Sequence, residues 1–242
     1  MKITFLGSSH GVPEVDRKCT SILIEAGECR YIVDMGTHTA EALTAKGIAV
    51  DSINAIFITH FHGDHTNGLV SYLDLCSWYY KKADPQIFLP GDIDGPIKAI
   101  DLWLRCNGNS LRDFRFNGVE GGLLFDDGTV KVFAYPTKHT NNSYAYLIEA
   151  EGKRVLYTGD LSNTPEDDFP KQFLEFSLDL VIGESAHFEA TKYLDILKDA
   201  KEINSLCITH YSPRFLPSVE ELEKAKVPYK VFRAYDGLEI IL

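Results

Sequence analysis

The distribution of short apolar runs along the chain most constrains its fold. Runs typical of β-strands alternate with helical patterns near both ends of the sequence. A β-rich centre lies between these halves and holds four strand patterns separated by Asp-Gly and Glu-Gly turns: Leu123–Phe125, Val130–Tyr135, Tyr144–Ala150 and Arg154–Tyr157. Two strand–helix halves around such a centre predict an α/β fold, with sheets covered by helices, in a single domain of residues 1–242.

The same patterns place the remaining elements. Helical patterns cover Thr37–Ala45, Leu69–Tyr80, Asp92–Arg105, Pro165–Glu175, Ala190–Lys201 and Ser218–Lys226. Strand patterns cover Ile3–Leu6, Ser21–Glu25, Tyr31–Val33, Ala55–Ile58, Ile87–Pro90, Leu178–Ile182 and Ser205–Ile208. Thr37 is the expected N-cap of the first helix.

Composition excludes several classes of protein. The formal net charge is −11, whereas a broad nonspecific nucleic-acid surface needs an excess of Lys and Arg. No apolar run approaches the ~20 residues of a membrane span. The N-terminus resembles a first strand more than a signal peptide. Five cysteines without a Cys-x-x-Cys motif argue against a disulfide framework, and we expect reduced thiols in the cytoplasm.

The chemistry is concentrated in the segment Thr59–His65, directly after a buried strand pattern. Its imidazole and carboxylate groups are ligand types for zinc, manganese and iron. His60 and His62 project to the same side because side chains alternate along an extended chain. The glycine that follows allows a turn, after which Asp64 and His65 begin a helix. The segment therefore predicts two adjacent metal sites, with one pair of ligands on each.

Neither pair fills a coordination shell, so further ligands must come from elsewhere in the chain. His139, Asp160 and His210 each follow a strand pattern, and the loops at strand ends commonly carry functional groups. The run Phe57–His60 recurs as Cys207–His210, which brings a second histidine to the end of a strand. A solvated polar loop is the alternative interpretation, but so dense a cluster of ligand types favours a metal site.

In chain order, these groups resemble the signature of the metallo-β-lactamase superfamily: His60-x-His62-x-Asp64-His65, His139, Gly159-Asp160 and His210. The resemblance covers essentially the whole chain. It implies a four-layer αβ/βα sandwich that holds two divalent ions, with Zn²⁺ expected ahead of Mn²⁺ or Fe²⁺. The ligands it implies are His60, His62 and His139 for one ion, Asp64, His65 and His210 for the other, and Asp160 as the bridge.

Flanking motifs are similar to those of ribonuclease Z and related phosphodiesterases. These motifs are Phe5–Ser9, Val12-Pro13, Arg17–Ser21, Val33–Gly36, Ser143–Tyr146 and Ile208–Phe215. Ribonuclease Z usually inserts a tRNA-gripping arm between its isolated histidine and its bridging aspartate. Here strand patterns and one turn fill the stretch from His139 to Asp160, and the net charge is negative. We therefore expect a small phosphodiester substrate, such as a cyclic or short nucleotide or a short RNA.

The implied reaction is metal-assisted hydrolysis of this ester. Two ions ~3.5–4 Å apart share a water, lower its pKa and clamp the phosphoryl oxygens. Asp64 is expected to act both as a ligand and as an acceptor of the proton from the attacking water. His187 follows another strand pattern and is a candidate general acid; a supporting or surface role is its alternative.

Other polar residues have weaker signals. Asp34 closes a strand pattern and orients a metal-binding histidine or caps a turn. His10 contacts substrate or is an ordinary loop residue, and His38 is expected at the surface. Arg214 meets a substrate phosphate or forms an ion pair. The aromatic run Trp78–Tyr80 follows a helical face and indicates either core packing or contact with a second copy of the chain.

Two other functions stay open on the sequence. The same metal centre attacks carbon as well as phosphorus, so a lactone, thioester or amide hydrolase is the nearest alternative. A noncatalytic metal-binding sensor with the same fold is the second. Retention of all seven ligand residues argues against that sensor, because a decayed site usually loses some of them.

Overall fold

A computed structural model describes residues 1–12 and 14–242 of the chain, so Pro13 of the Val12-Pro13 motif lies outside the described residues. Two seven-stranded sheets form the middle of the molecule. In chain order, the first sheet contains β1 (Lys2–Gly7), β2 (Ser21–Ala26), β3 (Cys29–Met35), β4 (Ala55–Phe57), β5 (Gln86–Pro90), β6 (Arg115–Val119) and β16 (Glu239–Ile241). The second contains β7 (Gly122–Asp126), β8 (Val130–Thr137), β9 (Ser143–Ala150), β10 (Lys153–Tyr157), β12 (Leu180–Ser185), β14 (Ser205–Tyr211) and β15 (Lys230–Arg233).

Six α-helices, three short 3₁₀ helices and a small two-stranded sheet make up the other regular elements of the described chain. The helices are α1 (Thr39–Ala45), α2 (Gly63–Trp78), α3 (Asp94–Cys106), α4 (Pro165–Asp168), α5 (Tyr193–Ile196) and α6 (Leu216–Glu223). The small sheet pairs β11 (Ser177–Leu178) with β13 (Glu202–Ile203). No described helix has the length and apolar character that crossing a membrane requires.

Both large sheets are built in the same way. In the first, β16, β1, β2 and β3 pair antiparallel, and β3, β4, β5 and β6 pair parallel. In the second, β7 to β10 pair antiparallel, and β10, β12, β14 and β15 pair parallel. Parallel neighbours need long crossovers, which supply the helices that cover each outer face. This construction accounts for the two strand–helix halves in the sequence.

Strand residues alternate between two hydrophobic layers. In β3, Tyr31 and Val33 point into a core shared by the two sheets, whereas Ile32 points toward α1 and α2. A third cluster lies between the second sheet and its own helices. Burial on both faces explains why these strands are continuous apolar runs. The result is the four-layer αβ/βα sandwich that the sequence predicted.

Several boundaries differ from the sequence-based expectation. The predicted cap Thr37 is wrong, because α1 begins at Thr39 with His38 as its N-cap in the left-handed conformation (φ 77°). The helix predicted over Pro165–Glu175 breaks after α4, since a residue before proline, here Phe169, avoids helical backbone. The helix predicted over Ala190–Lys201 is only a 3₁₀ turn and the short α5.

The aromatic run at the end of α2 divides between two environments. Trp78 and Tyr79 have 54% and 64% of their surface exposed, so core packing is wrong for these two. Tyr80 is half-buried against the cluster between the first sheet and its helices. Exposed apolar side chains of this size, in the described part of the chain, continue on α3 with Leu102 and Trp103.

Candidate metal centre

All seven predicted ligands gather at one edge of the two sheets. His60 and His62 follow β4, and Asp64 and His65 form the first turn of α2. The other three come from the second sheet: His139 from the β8–β9 loop, Asp160 just after β10, and His210 near the end of β14. Ends of parallel strands lie at a common edge, which brings Asp64 and His210, far apart in the sequence, to within 3.6 Å of each other.

One group of four donors consists of His60, His62, His139 and Asp160. Each offers one ligand atom, and these atoms all lie within 4.8 Å of one another. Nδ1 of His62 is 3.1 Å from Nε2 of His139. His60 and Asp160 are buried, whereas His62 is exposed, so this group forms the open side of the centre.

A second group consists of Asp64, His65 and His210, whose ligand atoms also lie within 4.8 Å of one another. Oδ2 of Asp64 is 3.3 Å from Nε2 of His65 and 3.6 Å from Nε2 of His210. Both histidines are buried. This group therefore lies deeper than the first.

Asp160 stands between the two groups. Its Oδ1 lies 3.4 Å from Nε2 of His65. Its Oδ2 lies 3.2 Å from Nε2 of His210, 3.6 Å from Nε2 of His139 and 3.8 Å from Nε2 of His60. A single carboxylate thus contacts histidines of both groups, which is the arrangement that a bridging ligand requires.

Three buried atoms of the centre make no hydrogen bond to any described part of the chain: Nε2 of His60, Nε2 of His65 and Oδ1 of Asp160. A buried polar atom without a partner costs roughly 1–3 kcal/mol. Three such atoms facing one another are explained by a cation that they coordinate. The donor set therefore fits a divalent metal ion.

The ionisation of the centre follows from burial and mutual charge. Burial lowers the pKa of the His60 imidazole to about 2, and the neighbouring His65 acts in the same direction. Burial acts to raise the pKa of Asp160, but His210 and His65 outweigh it and hold that pKa well below its usual range. A neutral imidazole beside an ionised carboxylate is the state in which both groups bind metal.

Asp34 fixes the orientation of His65 through the ring nitrogen that faces away from the centre. Its Oδ2 lies 2.8 Å from Nδ1 of His65 and accepts the hydroxyl of Tyr157 at 2.9 Å. Its Oδ1 accepts the backbone N–H of Thr59 at 2.8 Å. The Asp34 backbone is left-handed, with φ 56°. Of the two roles expected for Asp34, the structure thus supports orientation of a histidine.

His210 is oriented by a different pair. Its Nδ1 lies 3.1 Å from the carbonyl oxygen of Ser9 and 2.7 Å from the hydroxyl of Thr20. Its backbone is also left-handed, with φ 47°. The ring therefore presents Nε2 to Asp160.

His187 lies at the open side of the centre. Its Nδ1 is 2.9 Å from Oε1 of the buried Glu184 and 3.9 Å from Oδ2 of Asp160, and its ring centroid is 4.6 Å from that of His139. Burial acts to lower the pKa of His187, but the hydrogen bond to Glu184 and the negative charges of Glu184 and Asp160 together outweigh it, and the pKa is raised. Sequence reasoning did not assign Glu184, although a carboxylate three residues before His187 at a strand end was the available signal.

The remaining polar candidates lie further out. Nδ1 of His10 is 3.0 Å from Glu14, and the next residue, Gly11, passes close to the Asp64 carboxylate. His38 is exposed, as expected. Arg214 is exposed and packs over the ring of Phe215, and within the described residues it forms no ion pair.

Arg17 has a role that sequence reasoning missed. Its guanidinium is buried, lies 3.7 Å above the ring of Tyr211, and donates to the carbonyl oxygen of Tyr211 at 2.8 Å. It also donates to Glu14 at 2.6 Å. Arg17 therefore joins the first loop to the residue that follows His210.

Residues 1–227 match the profile of the family described as anti-Pycsar protein Apyc1. The ribonuclease BN of Cronobacter sakazakii is 32% identical over 157 residues, which are 63% of this chain and 51% of that protein. The chain thus spans about half the length of the curated relatives it matches.

Two solved structures have a similar fold. The metallo-β-lactamase fold protein YhfI from Bacillus subtilis has a TM-score of 0.79 at 18% identity, over 99% of this chain and 98% of that one. The short form of human tRNase Z has a TM-score of 0.72 at 21% identity, over 100% and 99%. Both structures show the metallo-β-lactamase fold for this chain, and the names of the curated relatives agree with its resemblance to the ribonuclease Z-like group.

Proposed function

This chain belongs to the family of the anti-Pycsar protein Apyc1, and we propose that it is a metal-dependent hydrolase of small nucleotide phosphodiesters. The proposed unit is one hydrolase domain over residues 1–242. The observation that carries the proposal is the position of Asp160, whose oxygens contact histidines of both donor groups. A bridging carboxylate between two sets of ligands is typical of dinuclear hydrolytic centres.

We assign two divalent ions to the two donor groups, with Zn²⁺ the expected occupant. His60, His62 and His139 would hold the first ion, and Asp64, His65 and His210 would hold the second. Asp160, which contacts histidines of both groups, would be shared. Imidazole and carboxylate donors suit Zn²⁺, and Mn²⁺ or Fe²⁺ is accommodated by the same groups. Bound there, the ions supply an activated water and charge stabilisation at the phosphoryl oxygens.

Protein groups perform the proton transfers. Asp64 faces the centre from the first turn of α2, and hydrogen bonding and charge from His65 outweigh burial and hold its pKa below the usual range. Its carboxylate is therefore ionised, and it accepts the proton of the attacking water. Asp64 thereby acts both as a ligand and as a base.

His187 is the proposed general acid for the leaving oxygen. The Glu184 hydrogen bond at Nδ1 turns the ring toward the centre and favours the protonated imidazole. His187 is 34% exposed, whereas the ligand His139 next to it is 9% exposed. A protonated, partly exposed histidine beside the first donor group is positioned to meet the leaving group of an entering ester.

Three observations bear on the substrate, and the last two of them favour a small phosphodiester over tRNA. The Cronobacter relative is named a ribonuclease, which supports phosphorus as the point of attack. The chain between His139 and Asp160 consists of β9, β10 and their short connections, so this stretch contains no inserted arm that could grip tRNA. The net charge of −11 also disfavours a long polyanion. A cyclic nucleotide, a short nucleotide or a short RNA is the proposed substrate.

The proposal is tested by hydrolysis of bis(p-nitrophenyl) phosphate with protein loaded with Zn²⁺ or Mn²⁺. Asp64→Ala should abolish turnover and lower the metal content. Asp195→Ala is the matched control, because Asp195 is exposed on α5, and its turnover should equal that of the unsubstituted protein. Turnover in the Asp64→Ala protein would refute the assignment. Metal-loaded protein that leaves the ester intact would refute phosphodiester hydrolysis, and lactones and thioesters would then be tested.

We also propose that α2 and α3 form a contact between two copies of the chain. Trp78, Tyr79, Leu102 and Trp103 are all more than half exposed there, and Trp103 borders a surface cavity of about 560 Å³ between the two helices. Exposed apolar patches of this kind mark interaction sites. Light scattering should give twice the chain mass for the unsubstituted protein and the chain mass for Trp103→Asp; a monomeric unsubstituted protein would refute the contact.

A further inference from the structure

We propose that Asp168 is a positioning residue that holds His139 and Asp160 in the first donor group. The inference rests on the proposed metal centre. Asp168 is the last residue of α4, and its side chain is buried, with 6% relative exposure of the residue. Both of its carboxylate oxygens are used by backbone groups that adjoin proposed ligands.

The two hydrogen bonds of Asp168 are short. Oδ1 accepts the backbone N–H of Lys138 at 2.6 Å, and Oδ2 accepts the backbone N–H of Ser162 at 2.6 Å. Lys138 directly precedes His139, and Ser162 is the second residue after Asp160. One side chain therefore joins two turns that are separated in the sequence by the whole of β9 and β10.

The opposite side of each turn is also fixed. The hydroxyl of Ser143 accepts the backbone N–H of Thr140 at 3.1 Å, which closes the turn around His139. Oε1 of Glu184 accepts the backbone N–H of Leu161 at 3.1 Å, which fixes the turn after Asp160. The hydroxyl of Thr137 also links the two turns, donating to the carbonyl oxygen of Asp160 at 3.4 Å. Asp168 is the stronger link between them, because it makes a bond of 2.6 Å to each turn.

An aspartate suits this position for a chemical reason. Each of the two backbone N–H groups needs its own acceptor, and an ionised carboxylate offers two equivalent oxygens. Asparagine has one carbonyl oxygen and would place an NH₂ donor against the second N–H. Hydrogen bonds to an ionised acceptor are also shorter and stronger than neutral ones.

The segment that carries Asp168 is itself anchored. Pro165 occupies the first turn of α4, and Phe169 packs into the cluster between the second sheet and its helices. Glu166 forms an ion pair of 3.2 Å with Lys192, just before α5. The position of the Asp168 carboxylate is thus fixed by the anchoring of α4.

The effect of Asp168 is confined by the arrangement of the centre. Two of the four donors in the first group depend on it. In the second group, His65 is oriented by Asp34 and His210 by Ser9 and Thr20. Asp160 also contacts His65 and His210 of the second group. Because those two histidines are held independently of Asp168, and His139 belongs to the first group alone, loss of the Asp168 carboxylate should weaken binding of the first metal ion more than binding of the second.

The test is a Zn²⁺ titration of metal-free protein against a chromogenic chelator. Asp168→Asn should lower the affinity for one equivalent of Zn²⁺ by about 10–100-fold, which is the usual effect of losing a group that orients ligands. The affinity for the other equivalent should fall by a smaller factor, because only Asp160 of that ion's proposed ligands depends on Asp168. Asp168→Ala should give a larger loss, and thermal unfolding of both metal-free variants reports whether the fold survives.

Asp179→Asn is the matched control. Its carboxylate also accepts a backbone N–H, that of Arg154 at 3.0 Å, but at the start of β10, away from the centre. This variant should bind Zn²⁺ as the unsubstituted protein does.

Equal Zn²⁺ affinity in both Asp168 variants would overturn the inference, as would an equal loss in Asp179→Asn. Unsubstituted protein that takes up no Zn²⁺ would overturn the inference together with the metal centre. Unsubstituted protein that binds two equivalents, with the predicted loss in Asp168→Asn but no turnover of phosphodiesters, would support the inference while refuting the proposed reaction.

Discussion

Oδ2 of Asp34 lies 2.8 Å from Nδ1 of His65, and both side chains are completely buried. Asp34 belongs to the first sheet, while Tyr157, which donates to the same oxygen, belongs to the second. This carboxylate joins both sheets and α2 at one point. It also selects the tautomer of His65 that keeps Nε2 free to bind a metal ion.

Asp34→Ala should destabilise the fold and empty the centre. Removing one partner of a buried, hydrogen-bonded pair costs about 3–5 kcal/mol in the free energy of unfolding. Urea denaturation of the metal-free protein measures this loss, and elemental analysis measures the metal. Asp34→Asn, which keeps the size of the side chain, separates the two effects: it should retain more stability than Asp34→Ala while still binding less metal. Normal metal content in both variants would contradict the orienting role of Asp34.

His187→Ala should change the pH dependence of turnover. As a general acid His187 acts while protonated, so the rate of the unsubstituted enzyme should fall as pH rises through the pKa of His187, which the Glu184 hydrogen bond raises. The variant should lose about 10²–10⁴-fold in kcat, the usual contribution of a general acid, and the alkaline fall should disappear. Kinetics from pH 5 to 10, with metal content measured at each point, check this. An unchanged profile in His187→Ala would assign the alkaline limb to another group.

Gly68→Ala should displace α2. A Cβ at Gly68 would stand 2.0 Å from the carbonyl oxygen of Gly36 and 2.8 Å from that of Met35, both of them backbone atoms. The helix must therefore shift, at about 1–3 kcal/mol in the free energy of unfolding. Metal binding should weaken as well, because the first turn of α2 carries Asp64 and His65.

Gly95→Ala is the control for this substitution. Gly95 lies in the first turn of α3, and a Cβ there meets no atom within 4 Å apart from its chain neighbours Asp94 and Pro96. Alanine favours a helix over glycine by about 1 kcal/mol, while the following proline disfavours a Cβ in helical backbone, so this variant should be about as stable as the unsubstituted protein. Thermal and urea unfolding of the two variants side by side make the comparison. Equal stability of Gly68→Ala would show that α2 adapts without cost.

Asp179 should contribute stability that is lost in acid. Burial acts to raise its pKa, but hydrogen bonds from the Arg154 backbone and from Lys153 outweigh it, and the pKa is lowered. A carboxyl whose pKa is lower in the folded state stabilises the protein above its ordinary pKa of about 3.9 and ceases to do so as pH falls through the lowered value. Urea denaturation between pH 7 and 3 should therefore show a shallower acid loss in Asp179→Asn. Parallel curves for the two proteins would contradict this.

Much of the fold and of the centre follows from local sequence. Successive side chains of a strand such as β3 pack into two different apolar layers. Because both faces of the strand are buried, the strand is recognisable in the sequence as a continuous apolar run. The histidine-rich segment is equally easy to recognise as a metal-ligand cluster, since His60 to His65 are close together in the chain. Such features depend only on residues close in sequence.

Other features depend on contacts between distant segments. Asp168 lies in an ordinary acidic stretch, and its importance arises from two backbone N–H groups contributed by other loops. The edge strands β15 and β16 are short and only partly buried, so they lack a strong apolar pattern. The pairing of Asp34 with His65 is likewise a product of tertiary packing, because α2 crosses β3 through Gly68 and Gly36.

The order in which the donors occur along the chain has a consequence for biosynthesis. His60, His62, Asp64 and His65 are translated first, but His139, Asp160 and His210 follow much later. A nascent chain that ends before β14 lacks the last donor of the deeper group. Complete coordination thus requires that β14 has been translated, and an ion held by the full donor set would show that the two sheets have come together.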